Sequence, residues 1–208
     1  MARQTRQRIL DASLAMFNEQ GEPNVTTNHI ADELEISPGN LYYHFRNKDD
    51  IIEQLFARYE ERMDTALVAP EGRLRDLEDI WLQLHLVFEA ILDYRFLYRD
   101  LVDILSRNRR LRLRFARILK RAADNATSGM RGLVQAGVMR ASAAEVEATA
   151  TNILVLATFW LNYASVRGDR DEHEAIRRGI VQVMMLLSPL LRDAERLHLN
   201  NLTQAYLD

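Results

Sequence analysis

The chain has 208 residues, of which 48% are hydrophobic and 27% charged, and its net charge is −3. This composition supports a buried core and excludes a mainly disordered chain, while the absence of cysteine excludes disulfide scaffolds and thiolate zinc sites. Because no apolar run reaches the roughly 18 residues of a membrane-spanning helix and no apolar segment follows the N-terminal arginines, we expect a soluble, cytoplasmic protein with no membrane partner.

Helix-forming residues dominate the chain, glycine and proline are few, and apolar residues recur at helical spacing. The sequence therefore predicts an all-α fold of about nine helices. In chain order they cover residues 2–20, 26–34, 38–45, 48–67, 73–93, 95–106, 109–136, 142–166 and 172–195. Pro189 is expected to kink or end the last helix.

The stretch VAPEG at residues 68–72 is the strongest break after residue 50 and predicts a domain boundary. An N-terminal domain is expected over residues 1–47 and a connecting helix over residues 48–68. A C-terminal domain is expected over residues 73–208.

The N-terminal domain contains a pattern of two capped helices joined by a short turn, at about residues 26–45. Thr26 or Thr27 can cap the first of these helices, and Ser37 can cap the second. Two apolar side chains of the second helix, Leu41 and a phenylalanine four residues later, face inward together. Such an arrangement is a helix-turn-helix.

The opposite face of the second helix of this motif is left to solvent. It carries a residue without a side chain and then amide, phenol and imidazole groups, namely Gly39, Asn40, Tyr42, Tyr43 and His44. Such groups can approach base edges and hydrogen-bond to phosphates. Packing alone explains a solvent-facing Tyr-Tyr-His poorly, so the pattern favours DNA contact.

The stretch TTNHIADELEISPGNLYYHFRNKDDIIEQL resembles the DNA-binding domain of the TetR family of transcriptional regulators, most clearly over about residues 6–60. The later segments YRFLYRDLVDIL and TFWLNYASVRGDRDEHEAIRRGIVQVMMLLSPLL resemble a recurrent form of the family's regulatory domain. The resemblance implies a homodimer that binds double-stranded DNA and a small-molecule effector.

The resemblance also implies contact roles for ten residues. Residues at the start of the second helix of the motif, the recognition helix, would lie at the bases in the major groove. The remaining residues would contact phosphates, and Thr27 would also cap the first helix of the motif. The base-proximal residues are Ser37, Gly39 and Asn40, and the phosphate-binding residues are Thr27, Tyr42, Tyr43, His44, Lys48 and, from a mobile arm that could also enter the minor groove, Arg3 and Arg6.

Two features depart from this pattern. Glu35 occupies a turn position where the family often has glycine, and a non-glycine residue with positive φ costs about 1 kcal/mol. We expect the turn to survive. Residues 1–50 contain five basic and eight acidic residues, a net charge of −3, so DNA binding should depend only modestly on salt, with a slope no steeper than about −8 per dimer.

The helix near 142–166 is apolar nearly all round, and the final helix has a broad apolar face. Such helices are buried on more than one side. The pattern and the resemblance both favour a four-helix-bundle dimer, the alternative being packing within one protomer. The candidate interface residues are Trp160, Ile180, Met184, Leu187 and Leu191.

Aromatic residues cluster in the C-terminal part, where the resemblance implies an effector pocket. The candidate lining residues are Trp81, His85, Phe88, Phe96, Phe115, Asn152, Phe159 and Tyr163. Their composition favours a mostly apolar small molecule. The alternative is a packed core whose polar groups are satisfied internally.

Arginines form one helical stripe between residues 107 and 121, with further cations beside it and no acid from Ser106 to Ala123. The stripe residues are Arg107, Arg110, Arg114, Arg117 and Arg121, and the neighbouring cations are Arg109, Arg112 and Lys120. The stripe is either a solvated or cross-helix-paired surface, or a site for an anionic effector tail or partner.

None of the five histidines has metal-site spacing, and no nucleophile, Walker or dinucleotide motif is present. We therefore expect no enzymatic activity, metal or cofactor. The sequence predicts a homodimeric DNA-binding transcriptional regulator of a palindromic operator, a repressor released by a small-molecule effector. The alternative is a helical small-molecule-binding or adaptor protein without DNA binding.

Overall fold

The computed structural model describes residues 2–68, 73–169 and 171–207. Eleven α-helices make up most of this part of the chain, which contains no β-strand, so the predicted all-α fold is confirmed. The helices are α1 (Ala2–Gln20), α2 (Thr27–Glu33), α3 (Pro38–His44), α4 (Lys48–Ala66), α5 (Leu77–Asp93), α6 (Arg95–Arg99), α7 (Leu101–Arg107), α8 (Arg109–Gln135), α9 (Ala143–Val166), α10 (Glu172–Leu187) and α11 (Asp193–Leu207). None of the helices in the described part of the chain combines the length and the hydropathy of a membrane-spanning segment.

The number of helices exceeds the predicted nine because two expected helices are interrupted. The helix expected over residues 95–106 is divided at Asp100 into α6 and α7. The last expected helix is divided by a 3-10 turn containing Pro189, which cannot donate the backbone hydrogen bond that a continuing helix needs. The predicted effect of Pro189 is confirmed. The break expected at residues 68–72 falls, apart from Val68, outside the described residues.

The chain forms two compact units. The first, which we call the head, contains the residues up to Arg62 and residues 94–114. The second, which we call the body, contains residues 63–93 and the chain from residue 115 onward. This division differs from the predicted one, because α6, α7 and the first turns of α8 belong to the head although they follow the expected boundary.

Aromatic packing and a backbone hydrogen bond hold α6 in the head. Phe96 is fully buried, its ring centroid lies 5.3 Å from that of Phe17, and its N–H donates to Asn18 Oδ1 at 3.1 Å. The hydroxyls of Tyr59 and Tyr98 share a hydrogen bond of 2.5 Å, and burial raises the pKa of Tyr98. A segment distant in sequence thus completes the core of the head.

Most of the arginine stripe pairs with acidic residues across helices. The pairs are Arg107–Glu22, Arg110–Glu53 and Arg114–Glu60 in the head and Arg121–Asp64 in the body. The guanidinium carbon of Arg114 also lies 4.9 Å from the ring centroid of Phe56. For these four arginines the structure therefore shows the cross-helix-paired surface, the first of the two interpretations left open by the sequence.

In the body, α10 packs against α5 and α9, and one glycine permits its close approach. A Cβ atom at Gly179 would lie 2.7 Å from ring atoms of Phe88 and of Trp160. The indole N–H of Trp160 also donates to the carbonyl of Ala175 at 2.6 Å. The tryptophan ring is thus fixed by a hydrogen bond on the same helix against which it packs.

Gly179→Ala is expected to lower the free energy of unfolding by about 1–2 kcal/mol. The added methyl group overpacks two rings, which typically costs roughly 1–3 kcal/mol, and the better helix propensity of alanine offsets part of this. Gly132→Ala in α8 is the control, because its Cβ would have a Leu74 methyl as nearest neighbour at 3.8 Å. That variant should gain up to about 1 kcal/mol. Urea denaturation measures both, and a stabilised Gly179→Ala would contradict the expectation.

Candidate nucleic-acid interface

The turn between α2 and α3 retains its form without glycine. Glu35 has a φ of +55°, and the N–H of Ile36 donates to the carbonyl of Ala31 at 3.0 Å. The left-handed backbone expected at Glu35 is therefore confirmed, and such a conformation typically costs about 1 kcal/mol in a non-glycine residue. The closed turn sets the relative orientation of α2 and α3.

The start of α3 is capped as its sequence predicts. Ser37 has an extended backbone, and its hydroxyl accepts from the N–H of Asn40 at 3.2 Å, while Pro38 occupies the first helical position. Leu41 and Phe45, at 0% and 3% exposure, attach the inner face to the core of the head. The other face of α3 must therefore point outward.

The outward face of α3 presents the predicted groups. Gly39 and Asn40 are exposed, as are Tyr42 and Tyr43, whose exposed fractions are 48% and 78%. His44 is half-buried, and its ring stands edge-on to that of Tyr43 at 5.1 Å between centroids. Five groups with hydrogen-bonding capacity or close backbone access thus lie along one short helix.

A hydrogen bond between side-chain hydroxyls joins α2 to α3. The oxygens of Thr27 and Tyr42 are 3.0 Å apart. The cap of α2 is Thr26 and not Thr27: its hydroxyl accepts from the N–H of His29, and the His29 ring accepts from the N–H of Thr26. Thr27 is instead the first helical residue, so its side chain is directed to Tyr42 and not into the cap.

Lys48, at the start of α4, is held within the head. Its Nζ donates to the carbonyls of Glu22 at 2.9 Å and of Val25 at 3.0 Å, and lies 2.8 Å from Glu22 Oε1. Two of the three N–H groups of the ammonium therefore donate to carbonyls, and the carboxylate of Glu22 forms an ion pair with it. A direct phosphate contact would require Lys48 to leave one partner, so that contact stays a prediction.

Glu22 is a residue that the sequence analysis missed. Its side chain is fully buried and pairs with Lys48 and with Arg107 Nη2, the latter at 2.5 Å. Its N–H donates to Asp100 Oδ2 at 3.3 Å. Burial and the nearby Glu22 carboxylate raise the pKa of Asp100, against the opposing effect of this hydrogen bond. The arginine stripe was the available signal, since so many local cations required acidic partners from elsewhere.

The N-terminal arginines lie in a helix and do not form a mobile arm. α1 begins at Ala2, and the guanidinium carbon of Arg6 lies 4.9 Å from the ring centroid of Phe45. This cation–π contact attaches α1 to the residue that ends α3. Arg3 is exposed about one turn earlier. The predicted arm is therefore wrong, while phosphate contact by Arg3 and Arg6 stays a prediction.

The residues predicted to line an effector pocket do not converge on one site. Phe88, Phe96 and Phe115 are buried, Asn152, Phe159 and Tyr163 are exposed on α9, and Trp81 and His85 are half-buried on α5. Phe96 moreover belongs to the head, whereas the others belong to the body. A separate cleft of about 610 Å³, lined by Thr127, Ser128, Arg131 and other residues mainly of α8, includes none of them.

The residues predicted to form a dimer interface are covered within the protomer. Their exposed fractions are 9% or less; the residues are Trp160, Ile180, Met184, Leu187 and Leu191. They are buried because α10 packs against both α5 and α9. A row of four exposed apolar side chains lies instead on α9, where Val155, Phe159 and Tyr163 follow at successive turns at 46–55% exposure, with Val166 beyond them at 90%. We call these four residues the α9 stripe.

Comparison with known proteins matches both parts of the chain. Residues 9–55 match the family model described as bacterial regulatory proteins, tetR family, and residues 58–199 match the model described as bacterial transcriptional repressor. The crystal structure of a TetR-family transcriptional regulator from Marinobacter aquaeolei VT8 is 38% identical, with 98% of this chain and 99% of that chain covered and a TM-score of 0.90.

Two further relatives are more distant. TtgW from Pseudomonas putida, an uncharacterized HTH-type transcriptional regulator, is 32% identical over 79 residues, which is 38% of this chain and 59% of TtgW. SmeT is the repressor of the Stenotrophomonas maltophilia multidrug efflux pump SmeDEF. The structure of its complex with triclosan is 21% identical in sequence, with 92% of this chain and 93% of the SmeT chain covered and a TM-score of 0.61. The likeness to SmeT is one of fold.

The extent of these matches decides the family. The family model that begins at residue 58 covers more than half of this chain by itself. The Marinobacter regulator matches this chain over nearly the whole length of both proteins. The helix-turn-helix of α2 and α3 falls within the segment matched by the N-terminal model. The chain therefore belongs to the TetR family of transcriptional regulators.

Proposed function

We propose that the protein is a sequence-specific DNA-binding transcriptional regulator whose α3 enters the major groove of double-stranded DNA. The observation that carries this proposal is the outward face of α3, with Asn40, Tyr42 and Tyr43 exposed on a helix fixed from below. Among the described residues, a Cβ at Gly39 would have only the Ser37 hydroxyl within 4 Å. The backbone at the start of α3 is thus open to a base edge.

The hydroxyl pair of Thr27 and Tyr42 suits a phosphate at the edge of the groove. The hydroxyl that accepts in this pair keeps its own hydrogen for a phosphate, and the 3.0 Å hydrogen bond fixes both groups before DNA arrives. Phosphate contacts position a protein on the duplex, and base contacts specify the sequence. We therefore assign positioning to this pair and sequence readout to Asn40 and its neighbours at the start of α3.

The functional unit in this proposal is a homodimer that joins two copies through the α9 stripe. A two-fold symmetric dimer presents two α3 helices and matches a palindromic operator, with half-sites about one helical turn, or a small multiple of it, apart. The stripe supports this assignment because Phe159 and Tyr163 are large apolar side chains left open on a helix whose other face is buried.

The body takes a small, mostly apolar effector in this proposal, and the protein acts as a repressor. Trp81 and His85, half-buried on α5, combine apolar area with a polar group that can orient a ligand. The complex of SmeT with triclosan supports a small-molecule ligand for a chain of this fold. Effector binding lowers operator affinity only by as much as the effector prefers the DNA-free form.

Selection of bound duplexes from a random pool at about 150 mM salt tests the proposal. Full-length protein should enrich a palindrome, and Tyr43→Ala should bind that operator at least about tenfold more weakly, a loss of roughly 1.4 kcal/mol. The loss reflects a missing backbone contact, because Tyr43 is 78% exposed and supports little packing in the free protein.

Leu197→Ala is the matched control, since Leu197 is an exposed residue of α11. That variant should keep the full operator affinity, and both variants should unfold at the temperature of the parent protein. If the folded parent protein enriches no sequence, the result contradicts the proposed regulator function. It would favour a helical small-molecule-binding or adaptor protein that does not bind DNA.

A further inference from the structure

The first turn of α8 carries three arginines, of which only Arg110 pairs with an acid among the described residues. Arg109 and Arg112 are exposed, and no acidic partner is found for them among the described residues. Arg110 is 76% exposed and touches only the edge of Glu53, at 3.5 Å. We call Arg109, Arg110 and Arg112 the corner arginines.

Three arginines at the N-terminal end of a helix are electrostatically unfavourable. The N-terminal end of a helix carries a partial positive charge, so cations there are unfavourable, and acidic residues are preferred. The first turn of α8 contains none of the latter. Its N–H groups are served by Asn108, whose Oδ1 accepts from the N–H of Leu111 at 3.1 Å. Arg109 and Arg112 therefore serve neither the helix cap nor an ion pair of the described residues, and Arg110 has only its exposed contact with Glu53.

The charge of the head shows what these cations supply. Residues 1–62, which contain the helix-turn-helix, carry seven basic and eleven acidic residues, a net charge of −4. Residues 94–114 carry seven basic and two acidic residues, a net charge of +5. Affinity for DNA depends strongly on cations that neutralise phosphates. Residues 94–114 thus bring to the head the positive charge that the segment with the helix-turn-helix lacks.

The turn between α7 and α8 lies beside the edge of the head to which we assign phosphates. Arg107 contacts Glu22 and lies 3.9 Å from Asp49, the residue after Lys48, while Asn108 donates to Glu53 at 3.2 Å. Lys48 itself joins the carbonyls of Glu22 and Val25, just before the cap of α2. The corner arginines thus follow directly on residues that contact the turn before α2 and the N-terminal part of α4.

We propose that the corner arginines form a second phosphate-binding surface, which contacts the DNA backbone beyond the half-site read by α3. This inference rests on the proposed function, because it extends the same interface. The positive charge of these arginines, and their continuity with the turn before α2 and the N-terminal part of α4, select DNA as the occupant over an acidic protein. Arginine suits the role, since its guanidinium can contact phosphate oxygens at two points.

The experiment compares two duplexes that carry the selected operator. The short duplex ends at the outer edges of the half-sites, and the long duplex extends about one helical turn further on each side. Dissociation constants are measured from about 0.1 to 0.3 M salt for the full-length protein, for Arg109→Gln/Arg112→Gln, and for the control Arg131→Gln, an exposed arginine of the body.

The parent protein and the control should bind the long duplex at least about fivefold more tightly than the short one. The double variant should lose this gain while keeping its affinity for the short duplex. On the long duplex its log–log salt slope should be shallower by about 3–4 per dimer, since each lost phosphate contact removes roughly 0.9 and a dimer loses four.

Three outcomes overturn the inference. The first is equal affinity of the parent protein for both duplexes, and the second is an unchanged slope for the double variant. The third is an equal loss on both duplexes, which would indicate a long-range field and not contact with flanking DNA. Failure of the parent protein to bind even the short duplex would instead overturn the proposed function, and the inference with it.

Discussion

Phe159→Glu is expected to convert the protein from a dimer to a monomer. Phe159 lies at the centre of the α9 stripe, between Val155 and Tyr163, and is 46% exposed in the protomer. An interface that buries a carboxylate without a partner loses roughly 3–5 kcal/mol. Two-fold symmetry places the same substitution on both sides of the interface and repeats the penalty. Sedimentation equilibrium of the full chain measures the change in mass.

Leu197→Glu is the matched control for this substitution, because Leu197 is also a large apolar residue, 63% exposed, but lies on α11. It should leave the dimer intact. Monomeric Phe159→Glu should still fold, and its affinity for the full operator should drop sharply because each head then binds a half-site alone. A dimer that survives Phe159→Glu and dissociates with Leu197→Glu would place the interface on α11.

Glu22→Gln should lower the free energy of unfolding by roughly 2–4 kcal/mol. The buried carboxylate neutralises Lys48 and Arg107, and glutamine preserves its volume while removing the charge that both cations require. The side chains of Lys48 and Arg107 are 24% and 38% exposed, so water recovers part of the loss, which therefore stays below that of a fully buried pair. Urea denaturation of the full chain measures the change.

The neighbouring Asp100→Asn gives the opposite expectation and serves as the control. Because the pKa of Asp100 is raised in the folded protein, mainly by burial, its contribution to stability is present below its unfolded-state pKa and is lost as pH rises through the folded-state value. Asparagine keeps an oxygen for the Glu22 N–H and removes the charge, so stability at pH 7 should be unchanged or higher. A loss of stability in Asp100→Asn as large as that in Glu22→Gln would contradict this expectation.

The sequence predicts α3 well because the residues that define this helix are close together in the chain. Ser37 and Pro38 define the start of α3, and the four-residue spacing of Leu41 and Phe45 defines which face is buried. The division at Asp100 lacks such a signal, since neither proline nor glycine occurs between residues 94 and 107. Contacts with distant parts of the head accompany it, including the N–H of Glu22 bound to Asp100.

The burial of α9 and α10 shows what hydrophobic spacing alone does not predict. Met184 and Phe159 both belong to broad apolar helices, and hydrophobic spacing states how apolar a face is without stating what covers it. Only the packing of α10 between α5 and α9 distinguishes the fully buried Met184 from the exposed Phe159. The contacts that hold Lys48 also lack a signal in the sequence, because its partner Glu22 is a lone acid with no periodic pattern around it.

A head assembled from two separate stretches of chain restricts how hybrid regulators can be built from this protein. Joining its first 62 residues to a foreign sensor domain would remove Arg107 from Glu22 and the N–H of Phe96 from Asn18. The grafted module would then carry a buried acid with only one of its two cations. A transferable reading module needs residues 94–114 as well, so a single recombination point within α4 should produce unstable hybrids, whereas a two-point exchange that also carries α6 and α7 should not.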